Sequence, residues 1–313
     1  MRTAPDTGAP SSAAPPSAAP SSIAIETITI DVNGQAFEVE SCGTGDRLAL
    51  CLHGFPEHAA MWRDYLPLLA ALGYRAWAPN QRGYGASPKP SRIADYDLTR
   101  LMEDTAGLID RSGARSVILI AHDWGAMVAW CFAIRRLRPL TALIVLNVPH
   151  PARYLRCLLR WQHLVRSLYV LGFVFPLLPD WLFRRRGGRL VRSLLRLTAY
   201  RPQTLSPVLL DIYCRNMASP GVATAALNWY RAGVFGGLLR QAWQGFPMIE
   251  IPTLIVWGDR DPVLSPILIE GTARYVADLT IDRRPDAAHW VAQEDPAGVA
   301  AAIGGFLQDL PPP

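Results

Sequence analysis

The segment Ala121-His122-Asp123-Trp124-Gly125 follows the apolar run Ser116 to Ile120 and precedes a helix-forming stretch. Strand, sharp turn and helix in that order make a nucleophile elbow, a strained bend that exposes one reactive side chain. The bend presses backbone against backbone, so the positions two before and two after the reactive residue must be small, as Ala121 and Gly125 are. Asp123 stands where such an elbow usually carries Ser. A serine attacking an alkyl carbon would leave an ether that water at the site could not remove. A carboxylate leaves an ester, which suits displacement at alkyl carbon followed by hydrolysis. The alternative is an Asp that merely N-caps the helix beginning near Ala126.

Three further features fall after expected strands. His53-Gly54-Phe55-Pro56-Glu57 follows Arg47 to Cys51; its His-Gly permits a tight turn and Phe55-Pro56 is a candidate cis bond. Such a turn aims the Phe55 N–H into a pocket, and the Trp124 N–H would be a second donor to an oxyanion. Asp259 and Asp261 follow Thr253 to Val256, and one of these carboxylates could orient a histidine while the other is a loop residue. His289 lies in a late loop after Leu279 to Arg284. A lone His is more often structural than catalytic. A His in that order after an elbow Asp and a second Asp is harder to dismiss.

These residues need a scaffold, and the sequence supplies its pattern. Two strand-like runs flank Asn33-Gly34, the strongest short hairpin signal. The runs beginning at Arg47, Tyr74, Ser116, Thr141 and Thr253 are short, apolar and end in Gly, Asn or Asp, with helix-like segments between most of them. That alternation predicts a mostly parallel sheet flanked by helices, with polar residues gathered beyond the carboxyl ends of the strands. The pattern breaks between about 151 and 245, where Leu, Arg, Trp and Tyr recur with helical periodicity. The expected organisation is therefore a Pro/Ala/Ser-rich disordered tail over residues 1–22, a core over 23–150, an inserted helical lid over 151–245 and the rest of the core over 246–313.

The 313 residues are half apolar and 18% charged, a normal balance for a folded chain. Five dispersed cysteines without a CxxC pair predict neither disulfides nor a zinc site and fit a reducing, cytoplasmic setting. No run is long and apolar enough to span a membrane, and the leader lacks the apolar centre of a secretory signal. Net charge is +5. Residues 153–201 hold eleven Arg against one acid, Asp180, so that stretch carries +10 and the remainder −5. Interleaved Leu, Val, Phe and Trp argue against nucleic acid as the partner. Arg185, Arg189, Arg192 and Arg196 would share one face of a helix, with Leu190, Leu194 and Leu197 toward another. A solvated amphipathic helix explains this. Peripheral binding to an anionic membrane surface, with the apolar stretch 168–183 as neighbour, is the sharper reading.

Taken together, "HGFPE", "HDWG", "NWYR", "WGDRD" and "AHW", in the chain order nucleophile, acid, His, resemble the soluble epoxide hydrolase branch of the α/β-hydrolases. The resemblance spans roughly residues 25 to 310. It implies the α/β-hydrolase fold with an inserted lid, Asp123 as nucleophile, Asp261 as acid partner, His289 as base, and the Phe55 and Trp124 amides as oxyanion hole. It implies two lid tyrosines that hold and protonate the epoxide oxygen. Tyr230 fits through "NWYR", and Tyr169 fits as the residue seven before Pro176, with Tyr154 as its competitor; family members usually carry Gln near Val174. His53, Glu57 and Trp229 become candidates for binding substrate or positioning water. The implied reaction converts a small lipophilic epoxide to a diol without metal or organic cofactor. The nearest rival is a haloalkane or haloacetate dehalogenase with the same Asp, His and acid, but those enzymes usually carry Asn after His-Gly, where Phe55 offers no side-chain donor. A non-catalytic ligand-binding relative would need the pocket and not the whole constellation. Substrate identity and oligomeric state are left open by these residues.

Overall fold

A hairpin opens the chain: β1 (Glu26–Val32) and β2 (Gln35–Cys42) pair antiparallel with Val32 opposite Gln35. Asn33 and Gly34 turn between them with φ of 56° and 74°, the left-handed pair that matches the twist of a two-residue hairpin. Six more strands follow, β3 (Arg47–Leu52), β4 (Tyr74–Pro79), β5 (Ser116–His122), β6 (Ala142–Leu146), β7 (Thr253–Gly258) and β8 (Leu279–Arg284). The sheet order is β1-β2-β4-β3-β5-β6-β7-β8. β1 with β2 and β2 with β4 are antiparallel, and every other pair is parallel. The computed structural model describes residues 24–158, 170–233 and 237–310. The expected tail over 1–22 and Tyr169 lie outside the described residues.

β3, β5, β6 and β7 are buried almost throughout, which is why they read as unbroken apolar runs and not as alternating ones: helices cover both faces. α1 (Leu66–Ala71) is short. α2 (Leu98–Ser112) is capped by Asp97, which accepts from Thr99 N–H, and ends at Gly113 with φ 60°. α3 (Asp123–Arg135) is buried on nearly every side. β4 flanks β3 on one side and β5 flanks it on the other, so the strand order reverses at β3. Such a reversal opens a crevice at the carboxyl ends of the strands, and the loops after β3 and β5 meet there.

Between β6 and β7 the chain forms α4 (Pro151–Leu158), α5 (Leu178–Thr198), α6 (Pro207–Ala218), α7 (Val222–Ala232) and α8 (Leu238–Trp243), with no strand among the described residues. No described helix is long and apolar enough to cross a membrane. α5 departs from the sequence expectation. It breaks at Arg185, which is extended (ψ 147°), and at Arg186, Gly187 and Gly188, all with positive φ. Arg185 is therefore not on one helical face with Arg189, Arg192 and Arg196. The cause is Gly187-Gly188, which favours the left-handed region that other residues resist; at Gly188 a Cβ would also collide with the Cys214 carbonyl oxygen. Beyond the break Val191 and Leu195 face the core, while Leu197 is 84% exposed, so the expected Leu190, Leu194, Leu197 face is not the buried one.

One buried ion pair connects these parts. Arg82, in the loop after β4, donates through Nε and Nη2 to both oxygens of Asp104 on α2, at 2.7 and 2.6 Å. Its carbonyl accepts the indole N–H of Trp229 on α7 at 2.9 Å. Asp104→Ala leaves a buried guanidinium unpaired, an effect of about 3–5 kcal/mol. The expected outcome is a large fall in the urea midpoint, with a much smaller fall for the exposed pair variant Glu103→Ala.

Candidate active site

The turn between β5 and α3 places Asp123 at φ 48°, a left-handed conformation uncommon for a residue with a side chain. Close approach explains its neighbour: a Cβ at Gly125 would collide with the His53 carbonyl oxygen and lie 2.6 Å from that of Leu52. α3 begins at Asp123 itself, and the residue in the N-cap position is His122, so Asp123 is not the helix cap that its position also suggested. Its carboxylate turns instead toward the loop after β3. Asp123 Oδ1 accepts the Phe55 N–H at 2.7 Å, and Phe55-Pro56 is cis. Trp124 follows directly, in the first turn of α3.

The other carboxylate oxygen faces a histidine. Asp123 Oδ2 lies 3.5 Å from His289 Nε2, and His289 Nδ1–H donates to Asp261 Oδ2 at 2.8 Å. Asp261 and His289 are both buried. Asp261 Oδ1 also accepts the Val263 and Leu264 N–H groups at 2.7 and 2.8 Å. Of the two acids open from sequence, Asp261 is thus the one at the histidine; Asp259 pairs with Arg283 at 2.8 Å near the surface. Sequence reasoning missed Asn147, just past β6 with φ 50°, which donates Nδ2–H to Asp261 Oδ2 at 2.8 Å and accepts Gly258 N–H at 2.6 Å. Its signal was an Asn ending an apolar strand, read only as punctuation.

Charge explains the protonation of this group. Burial pulls the His289 imidazole down, but the charge of Asp261 and the hydrogen bonds and charge of Asp123 outweigh it and push its pKa up to about 10. Burial likewise opposes the Asp123 carboxylate. The hydrogen bond and charge of His289, the charge of His122 and the Phe55 N–H outweigh it and hold its pKa below the usual carboxylate value. The resting pair is an imidazolium beside a carboxylate.

A second polar layer lies beneath. His122 Nδ1 is hydrogen-bonded to Glu57 Oε2 at 2.7 Å, and His122 Nε2–H donates to the His289 carbonyl at 2.9 Å. Glu57 also accepts Gly54 N–H at 3.1 Å and the Gln293 side-chain amide at 2.7 Å. Glu57 is fully buried with both oxygens occupied, so it is not a solvated loop charge. His53 is buried too: Nδ1–H donates to the Gly54 carbonyl at 2.9 Å and Nε2 accepts Gln81 N–H at 3.1 Å, which leaves no ring nitrogen for a substrate. Burial lowers its pKa to about 4. Glu294, also missed, accepts Ala288 N–H at 3.2 Å through one oxygen and Tyr200 and Arg201 N–H at 2.8 and 2.9 Å through the other. Among the described residues no group of His, Cys, Asp or Glu is arranged to hold a metal ion.

Above Asp123 the walls are aromatic. Tyr230 on α7 lies edge-on to both Phe55 and Trp124, each 5.1 Å between ring centroids, and Phe173 lies edge-on to it at the same distance. Trp229 packs against Trp124 at 6.2 Å, its N–H already held by Arg82, so it meets the site through its ring alone. Tyr154 is half-buried on α4. An ion pair below, with its carboxylate facing upward, and apolar rings above suit a small apolar molecule with one electrophilic carbon.

Residues 50–296 match the alpha/beta hydrolase fold family. Epoxide hydrolase 3 of Xenopus tropicalis is 34% identical over 275 residues, which cover 85% of this chain and 73% of that protein. The AB hydrolase superfamily protein YfhM of Bacillus subtilis is also 34% identical, over 90% of this chain and 97% of its own. Among solved structures, a Bacillus megaterium epoxide hydrolase in complex with an inhibitor superposes with a TM-score of 0.81. It is 29% identical, and the match covers 90% of this chain and 100% of its own.

The raised pKa of His289 makes stability depend on pH. Its charged form is favoured by the fold, so this contribution is complete below about pH 6.5 and is lost as pH rises through about 10. Unfolding free energy is therefore expected to fall over that alkaline window in urea titrations. In Asp123→Asn, which lacks one of the two carboxylates at the ring, the fall is expected to be smaller and to finish at lower pH; identical profiles would contradict the pairing.

Proposed function

The chain belongs to the α/β-hydrolase fold family, on its epoxide hydrolase-like branch, and we propose that it hydrolyses a small lipophilic epoxide to a vicinal diol through an ester on Asp123. The observation that carries this reading is the division of labour between the two oxygens of Asp123: Oδ1 sits on the Phe55 N–H and Oδ2 faces His289. In the first step Oδ2 attacks an epoxide carbon, the C–O bond of the ring breaks, and Tyr230, with Tyr169 as its partner, donates a proton to the departing oxygen. The product is an alkyl ester whose carbonyl oxygen is already seated on the Phe55 amide.

Esterification removes the negative charge of Asp123. That charge is one of those holding the proton on His289, so its loss lowers the imidazole pKa; the Nε2 proton passes through solvent to the phenolate left at Tyr230, which restores the tyrosine and frees Nε2 to act as base. His289 then takes a proton from water, the water oxygen attacks Cγ of Asp123, and the oxyanion is held by the Phe55 and Trp124 amides. Collapse releases the diol and restores the carboxylate. Asp261 keeps the imidazole in the tautomer with its proton on Nδ1, and Asn147 fixes Asp261. Glu57 acts from beneath, through His122 and the His289 carbonyl, and so positions the base. The helices between β6 and β7 serve as the lid that brings Tyr230 over Asp123, and Trp229 lines the substrate site.

Removing the base separates the two steps. His289→Gln incubated with styrene oxide is expected to gain the mass of one substrate on the peptide that contains Asp123, read by intact and peptide mass spectrometry. A folded variant with no adduct would overturn the ester route. In the first turnover in heavy-oxygen water, the wild type should place unlabelled oxygen from Asp123 in the diol. Tyr230→Phe is expected to slow ester formation by about 10²–10⁴-fold while hydrolysis of a preformed ester changes little.

A further inference from the structure

The fold leaves an apolar tip uncovered between Leu171 and Leu182. Phe175, Leu177 and Leu178 are 67%, 81% and 62% exposed, with Leu171, Trp181 and Leu182 exposed beside them. Such high values describe a protruding tip and not the floor of a groove. The tip is anchored from within: buried Arg231 donates Nη2–H to the Phe175 carbonyl at 2.9 Å and to the Asp180 carboxylate at 2.6 Å. Leu177 is held at φ 67°, a conformation a bulky side chain rarely adopts. A leucine held there and pointed away from the core is not explained by packing.

Arg184, Arg185 and Arg186 follow, all exposed. No carboxylate pairs with any of them among the described residues. The Arg185 guanidinium lies 4.5 Å over the Trp181 ring, so the basic and apolar parts adjoin. We propose that this tip docks on the surface of an anionic phospholipid bilayer. Phe175, Leu177, Leu178 and Trp181 enter the acyl boundary, and Arg184 to Arg186 meet headgroup phosphates. A second copy of the chain is the weaker occupant, because facing tips would bring like-charged arginine clusters together. A bilayer offers apolar depth and negative charge at once, and needs no complementary shape. This inference stands independently of the chemistry at Asp123, and it relocates the membrane contact from an arginine face of α5 to the segment before its break.

The test uses the full chain and sedimentation with phosphatidylcholine vesicles, with and without phosphatidylglycerol, at low salt. Binding to the anionic vesicles alone is expected. Each basic residue near such a surface contributes about fivefold, so Arg184→Gln/Arg185→Gln/Arg186→Gln should weaken partitioning by roughly 100-fold. Leu177→Asp/Leu178→Asp should abolish binding with every arginine present. Neither variant touches the site at Asp123, so unfolding temperature and styrene oxide turnover should match the wild type, and sedimentation still reads docking if turnover is absent in all. The proposal is overturned if anionic vesicles leave the protein in the supernatant, or if both variants sediment like wild type. It also fails if the leucine variant instead disrupts a dimer, or the arginine variant a duplex DNA complex, without any vesicle binding.

Discussion

The site depends on holding one carboxylate and one imidazolium face to face where water barely reaches. Opposite charges in such a place stabilise each other strongly, yet each would be costly alone. Everything near them serves that balance. The elbow sets Asp123 in a conformation its side chain does not favour, Asp261 supplies a second negative charge to His289, and the Phe55 amide draws one oxygen of Asp123 away from the ring. A neutral residue at 123 would leave His289 with Asp261 alone, and one at 289 would leave the Asp123 carboxylate without the imidazolium it faces.

The supporting layers explain why the pair stays in register. His289 is held at Nδ1 by Asp261 and at its carbonyl by His122, so both its ring and its backbone are fixed by residues from the ends of β5 and β7. Asn147, past β6, bridges Asp261 to the end of β7. Three adjacent parallel strands therefore contribute to placing one imidazole. Rigidity of this kind lets a change of charge on Asp123 appear as a change of proton affinity on His289 instead of a rearrangement.

The strands and the elbow were legible in sequence because both are local signals: apolar runs with turn residues at their ends, and small residues flanking an acid. Asp123, His289 and the pair Asp259 and Asp261 stood out for the same reason; the residues alone did not separate the two acids, and it was the family resemblance that named Asp261. Asn147 and Glu294 were illegible because their partners lie far away in sequence, at Asp261 and at Tyr200 and Arg201. The break in α5 was written in Gly187-Gly188, but the recurrence of arginine through it suggested a continuous helix. Glu57 was a candidate through the resemblance alone; its burial and its His122 partner, which give it a place in the interior, are set by contacts distant in sequence.

Glu294 has a mechanical consequence. One buried carboxylate takes amides from Ala288, next to the histidine, and from Tyr200 and Arg201, just past α5. Trp290 adds a bond to Thr198 at 2.8 Å. The end of α5 and the histidine loop are thereby riveted into one piece, and a displacement of either carries the other with it.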